Sequence, residues 1–264
     1  MTNQIALPHK LPDDLIALAA DILEPAALCA ALDAARVAHP DDKAFRKAAI
    51  TLLQEAQSQG RDRIAASFLK APRASAPTTR AYCWLTDCLV GASLYLARTY
   101  LSPPDANPGD FALCAVGGYG RGEMAPHSDV DLVFLAPSRI SPDLEALIET
   151  VLYILWDLHL KVGHSSRTIR DCLKLGTEDY TIRTAMLEIR YLTGNRALAN
   201  DLEKRLWSEL FSGSEKDFVE AKLAERQARH TRQGGQRYMV EPNVKEGKGG
   251  LRDLQSLYWI AKYV

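Results

Sequence analysis

Over much of its length the chain repeats apolar residues at spacings of three and four, the period of helices that bury one face. After a loose start containing Pro8, Pro12, Asp13 and Asp14, the alanine- and leucine-rich stretch from about residue 16 to 35 predicts a helix interrupted at Pro25. Asp41 or Asp42 can cap the next helix, whose apolar positions Phe45, Ala48, Ile50, Leu52 and Leu53 precede Gly60. The polar APRASAPTT segment, 71 to 79, predicts a turn or linker. Beyond it, Tyr82, Leu85, Cys88, Leu89, Leu94 and Leu96 fit a long helix ending near Tyr100.

The pattern then changes. FALCAV, 111 to 116, suits a buried strand, GGYGRG follows at 117 to 122, and DVDLVFL, 129 to 135, alternates acidic with apolar residues at the period of a strand. Residues 143 to 160 predict a helix, and KVGHSSRT, 161 to 168, can supply a third strand. From about 170 to 232 the chain is helical again, broken near Gly194 and at SGS, 212 to 214. RYMVEPNVKEGKGGLRDLQSLYWIAKYV joins a glycine-rich loop to the beginning of an apolar helix. The expected fold is α/β, of the α+β kind, in three regions: helical 1–105, a mixed core 106–170, and helical 171–264.

Charge and cysteine usage narrow the function classes. The 264 residues carry 32 Lys plus Arg against 33 Asp plus Glu, a net charge of -1, which argues against a globally basic nucleic-acid binder and leaves room for a local basic cleft. Five cysteines, at 29, 83, 88, 114 and 172, form no CxxC pair and leave one over, which points to a reducing compartment. With no basic leader and no apolar run near the roughly 20 residues of a membrane span, cytoplasm is the expected location.

Gly117, Gly118, Gly120 and Gly122 end a predicted strand, where missing β-carbons let backbone N–H groups approach an anion; a merely tight turn is the plain alternative. The dinucleotide fingerprint is out of register and GxxxxGK[ST] is absent. Asp129 and Asp131, two apart on a strand, point to one face and can share a divalent cation, while Val130 and Leu132 face the core. Taken alone, DVD also fits an exposed strand end. A glycine loop followed by DxD is what a nucleotidyl transferase needs: phosphates on backbone donors, metal on the triphosphate, and an acceptor hydroxyl in line with the α-phosphorus.

GGYGRGEMAPHSDVDLVFL resembles the signature of the bacterial bifunctional uridylyltransferase/uridylyl-removing enzymes, which modify the PII nitrogen regulatory protein. LWDLHLKVGHSSRT (155–168), LEIRYLTGN (187–195) and VEPNVKEGKGGLRDLQSLYWIAKY (240–263) resemble that family rather than the wider polymerase-β-like superfamily. The resemblance spans most of 45–264. It implies a polymerase-β-like nucleotidyltransferase core with flanking helices, UTP as substrate, Mg²⁺ as cofactor and PII as protein partner, with no nucleic acid and no membrane involved. By position, Gly117 and Gly118 match phosphate-binding glycines, Asp129 and Asp131 the metal-binding and catalytic aspartates, and Arg121 and Ser128 triphosphate contacts. For a third carboxylate, Asp157, Asp171 and Glu188 all stand as candidates. Ser166 and Lys248 depart from the valine and proline commoner in the family. The resemblance further implies that the chain stops before the family's HD-type phosphohydrolase and ACT domains, so that uridylyl removal and glutamine sensing lie elsewhere. A transferase for another nucleotide or acceptor, and a noncatalytic nucleotide-sensing module, remain open beside it.

Other features carry plainer expectations. Lys222, Arg226, Arg229, Arg232 and Arg237 fall largely on one helix face, as a solvated surface or, with Lys245, Lys248 and Arg252, as a basic wall for triphosphate or PII. Tyr119 can stack on a base or pack beside the loop. His127 suits an exposed turn, His159 and His164 make no zinc spacing, and Cys83, Cys88 and the four tryptophans suit helical core positions.

Overall fold

The computed structural model describes residues 14–234, 241 and 243–264. The expected loose start through Pro8 and Pro12, and Arg237 with most of the loop before Asn243, lie outside the described residues. The chain divides into two compact units, one running to Ile169 and regaining Glu188–Asn200, the other made of Arg170–Leu187 and Asp201–Val264.

The first unit opens with α1 (Ala19–Ile22) and α2 (Pro25–Ala38), broken where expected because Pro25 takes the first helical position, where its missing N–H costs nothing. Asp41 caps α3 (Asp42–Lys70) by accepting from the Ala44 N–H at 2.8 Å. Gly60 does not end this helix. It is buried mid-helix against the next one, and a β-carbon there would lie 2.6 Å from Leu85 Cδ1 and 3.0 Å from the Ile22 carbonyl. The expected linker at 71 to 79 is also corrected: only the residues before Ser75 are non-helical, and α4 (Ser75–Leu96) begins inside the polar stretch. Thr79 Oγ1 returns a hydrogen bond to the Ala76 carbonyl at 3.0 Å, so polar residues complete the opening turns that apolar periodicity misses. A π-helical turn, Ala97–Leu101, closes the helix near Tyr100 as expected.

A four-stranded sheet packs on these helices. β1 (Ala112–Ala115), β2 (Val130–Ala136), β3 (Val162–Thr168) and β4 (Arg190–Gly194) lie in the order β3-β2-β1-β4. β1 is antiparallel to β2 and β4, whereas β2 and β3 are parallel and joined by α6 (Pro142–Asp157), capped by Ser141. β4 corrects the helical expectation for 170 to 232. RYLTG is short and half-buried, and it pairs with β1 although Ala112 and Gly194 are far apart in sequence. One sheet face carries Leu113, Ala115, Val130, Leu132, Phe134 and Ala136 into a core with Leu85 and Leu89 of α4 and Val151 and Leu155 of α6. Each such leucine contributes roughly 1.5 to 3 kcal/mol by burial.

The second unit contains nearly all of α7 (Ile169–Glu178), together with α8 (Tyr180–Leu187), the end of α9 (Arg196–Arg205), a π-helical turn Leu206–Phe211, α10 (Glu215–Arg232) and α11 (Leu251–Tyr263). Its core stacks Phe218 on Tyr263 with ring centroids 3.8 Å apart. Cys83 and Cys88 are core thiols as expected, and burial followed by the nearby Asp87 charge pushes Cys83 up to about 12. Of the tryptophans, Trp84 and Trp259 are buried, but Trp156 and Trp207 are exposed, which corrects the core expectation for those two. Among the described residues no helix is long and apolar enough to cross a membrane.

Candidate active site

The glycine segment leaves β1 and turns back on itself within a few residues. Gly117 has φ +62, a left-handed value that favours glycine, and starts the single helical turn α5 (Gly117–Gly120). Glu123 N–H then donates to the Gly118 carbonyl at 2.9 Å, and Gly122, at φ +77, lets the chain leave. Val116 N–H donates to the Asp131 carbonyl at 3.1 Å, which ties the start of the turn to β2. Ahead of β2, Ser128 closes a turn on Ala125: Ser128 Oγ accepts from the Ala125 N–H at 2.9 Å, and Ser128 N–H donates to the Ala125 carbonyl at 3.1 Å.

Asp129 is exposed just before β2, and Asp131 is the half-buried second residue of the strand between buried Val130 and Leu132. The alternation expected from sequence is present. Two glycines make the space around Asp131. A β-carbon on Gly117 would sit 3.2 Å from Asp131 Oδ2, and one on Gly163, its register partner on β3, would collide with Oδ1. Gly163 stood in the predicted third strand without an assigned role, and only the strand register reveals it. Neither aspartate carboxylate has a hydrogen bond or ion pair among the described residues. Burial first, and then the Asp129 charge, push the Asp131 carboxyl above its ordinary value.

This donor set fits a hard divalent cation. Two carboxylates with no counter-charge, one compressed between glycines, supply oxygen ligands and carry a repulsion that such a cation removes. No cluster of three His, Cys, Asp or Glu side chains suited to a metal occurs among the described residues. Of the candidates for a third carboxylate, Asp157 is paired with Arg46 at 3.3 Å, and Glu188 is buried and bonded to Arg121 Nη1. Asp171 lies in the first turn of α7, in the other unit.

The remaining expectations divide. Arg121 is largely buried, with Nη1 on Glu188 and Nε on Glu123 at 3.1 Å, while Nη2 would lie 3.7 Å from a Gly118 β-carbon. Tyr119 is 1% exposed, so it packs under the turn and base stacking is excluded. His127 is exposed on its turn as expected. The basic stripe of α10 divides, with Arg226 and Arg232 exposed and Lys222 and Arg229 buried in ion pairs. Arg229 Nη2 donates to Asp253 at 2.6 Å, Arg226 lies 3.4 Å and His230 3.0 Å from the same carboxylate, and Gly249 N–H donates to it at 2.8 Å. Lys222 is buried on Glu225 at 2.7 Å and over the Trp259 ring. Arg252 lies 3.7 Å from Glu246. The solvated reading therefore holds for Arg226 and Arg232, while Lys222 answers Glu225 of its own helix and Arg229 answers Asp253 of α11.

A strand, a glycine turn and a returning strand that opens with paired aspartates define a nucleotidyltransferase core, and the family model described as a nucleotidyltransferase domain matches residues 104–192. A second model, described as GlnD PII-uridylyltransferase, matches 217–264. The chain is 58% identical over 226 residues to the bifunctional uridylyltransferase/uridylyl-removing enzyme of Ruegeria pomeroyi, covering 85% of this chain and 25% of that protein. Its counterpart in Cereibacter sphaeroides is 56% identical over 85% of this chain and 24% of its own length. That of Erythrobacter litoralis is 49% identical over 92% and 26%. The chain belongs to the bifunctional uridylyltransferase/uridylyl-removing enzyme family. It spans about a quarter of the length of these relatives.

Proposed function

We propose that this chain carries the site for Mg²⁺-dependent transfer of UMP from UTP to a tyrosine hydroxyl of a PII regulatory protein, with release of pyrophosphate, on a polymerase-β-like core. The observation that carries the proposal is the Asp131 carboxylate set between Gly117 and Gly163 without a counter-charge, next to a glycine turn. Asp129 and Asp131 would hold Mg²⁺, which when bound neutralises triphosphate charge and lowers the pKa of the attacking oxygen. Backbone N–H groups of Gly117 and Gly118 donate to phosphate oxygens, Arg121, tied to Glu188 and Glu123, braces the turn from behind, and Ser128 holds the approach to Asp129. The acceptor oxygen bonds to the α-phosphorus as the bond to the pyrophosphate oxygen breaks, and the hydroxyl proton is released. The helical region to 105, the core to 170 and the region beyond then act as scaffold, site and partner-facing segment of a cytoplasmic enzyme.

The test is incubation of the protein with labelled UTP, Mg²⁺ and a PII protein. Label on a PII tyrosine, lost on Asp129→Asn and Asp131→Asn, is the expected result. An unchanged intact mass of PII overturns the proposal, and equal transfer from ATP, CTP or GTP overturns the choice of UTP.

A further inference from the structure

The glycine turn is the least self-sufficient part of the site. Glycine has the widest conformational freedom of any residue, so a segment with four of them holds one geometry only if its surroundings impose it. Behind this turn stand Glu188, in the approach to β4, and Arg190, its first residue, which together touch three consecutive turn residues. Arg190 Nη2 donates to the Tyr119 carbonyl at 3.1 Å. The Glu188 carbonyl occupies the space where a Gly120 β-carbon would be. The Glu188 carboxylate binds Arg121.

Arg190 is itself aimed from α4. Its Nη1 and Nη2 donate to the two carboxylate oxygens of Asp87 at 2.8 and 3.0 Å, and its guanidinium lies 5.2 Å from the centroid of the Tyr119 ring. A planar fork that binds one carboxylate through two nitrogens and keeps a hydrogen for a carbonyl is a geometry lysine cannot reproduce. The pair therefore joins three elements distant in sequence at a backbone atom two residues from Gly117.

We propose that Arg190 and Asp87 are a positioning pair that sets the geometry of the glycine turn, and through it the placement of the nucleotide triphosphate over Asp129 and Asp131; this rests on the nucleotidyl transfer assigned above. Neither residue touches the reacting atoms. A displacement of the turn by about 1 Å lowers the rate on the order of 10²-fold, because the α-phosphorus leaves its line with the acceptor.

The experiment compares wild type, Arg190→Lys, Asp87→Asn and the double variant in UMP transfer with separate titrations of UTP and PII, alongside thermal melting and calorimetric Mg·UTP binding. Arg190→Lys is expected to lower kcat/KM for UTP by about 10²-fold with an unchanged KM for PII and a cooperative melt. Asp87→Asn should show a smaller loss in the same parameter, and the double variant should be no worse than Arg190→Lys, because the two residues act as one unit. Folded variants with wild-type UTP parameters overturn the proposal, as do additive losses or an equal rise in KM for both substrates. If Arg190→Lys does not fold, Asp87→Asn carries the same comparison. If neither folds, the pair is structural and the proposal fails. A wild type that transfers no UMP overturns the underlying function, whereas an active wild type with unaffected variants overturns only the pair.

Discussion

Asp131 and Asp253 are the same residue, each near the start of a regular element and each beside glycines, yet their surroundings are opposite. Around Asp131 the neighbours are a second carboxylate and two glycines that withhold their β-carbons, and the carboxyl is pushed above its ordinary value. At Asp253 burial also raises the pKa, but the Gly249 N–H, Arg229 and His230 outweigh it and hold the group at about 2. A carboxylate saturated with donors is finished as structure. One that is half-buried beside a like charge retains its affinity for a cation from outside. The contrast also explains why a count of positive residues overstates the free charge on α10, where Lys222 and Arg229 answer acids of their own unit.

The largest expected effect is on transfer. Asp131→Asn should lower UMP transfer by more than about 10³-fold while leaving the melting temperature equal or higher, since it removes repulsion with Asp129. A matching loss of stability in a melt would break the contrast. Asp253→Ala should do the reverse and destabilise the chain by about 3 kcal/mol, because Arg229, 4% exposed, loses its main counter-charge; urea unfolding measures this. Gly163→Ala should displace the Asp131 carboxylate and lower transfer about 10²-fold with little change in the melt.

The smallest effect is a pair of opposite pH dependences. The folded pKa of Asp253 is depressed, so its stabilisation is complete above the ordinary 3.8 and is lost as pH falls through about 2. The folded pKa of Asp131 is raised, so the native state holds the proton longer, and its contribution to stability declines as pH rises from 3.8 through the raised value. Stability measured against pH for wild type, Asp253→Asn and Asp131→Asn should give difference curves of opposite slope, and parallel curves would merge the two cases.

Helices with apolar periodicity were legible in the sequence, as were Pro25 as an interruption, the first three strands, and Asp129 and Asp131 on a common face. β4 was not, because Arg190, Tyr191 and Thr193 in a five-residue segment between helices give no sustained alternation. Tyr191, Thr193 and the glycine after them were the available signal. Gly60 shows the limit of a helix-breaking residue, since close packing against Leu85 keeps it mid-helix. Gly163, Glu188 and Arg190 gain their roles from partners many residues away, and only sheet register and packing bring these together.

The pairing of β1 with β4 sets a timetable for folding. Ala112 waits for Gly194, so during synthesis at about 5 to 20 residues per second β1 leaves the ribosome several seconds before β4. Until then the inner edge of β1 stays open, and a nascent chain halted at that stage presents an unpaired apolar strand to its neighbours. Closure of this edge is expected to be the slow, chaperone-sensitive event in maturation of the chain.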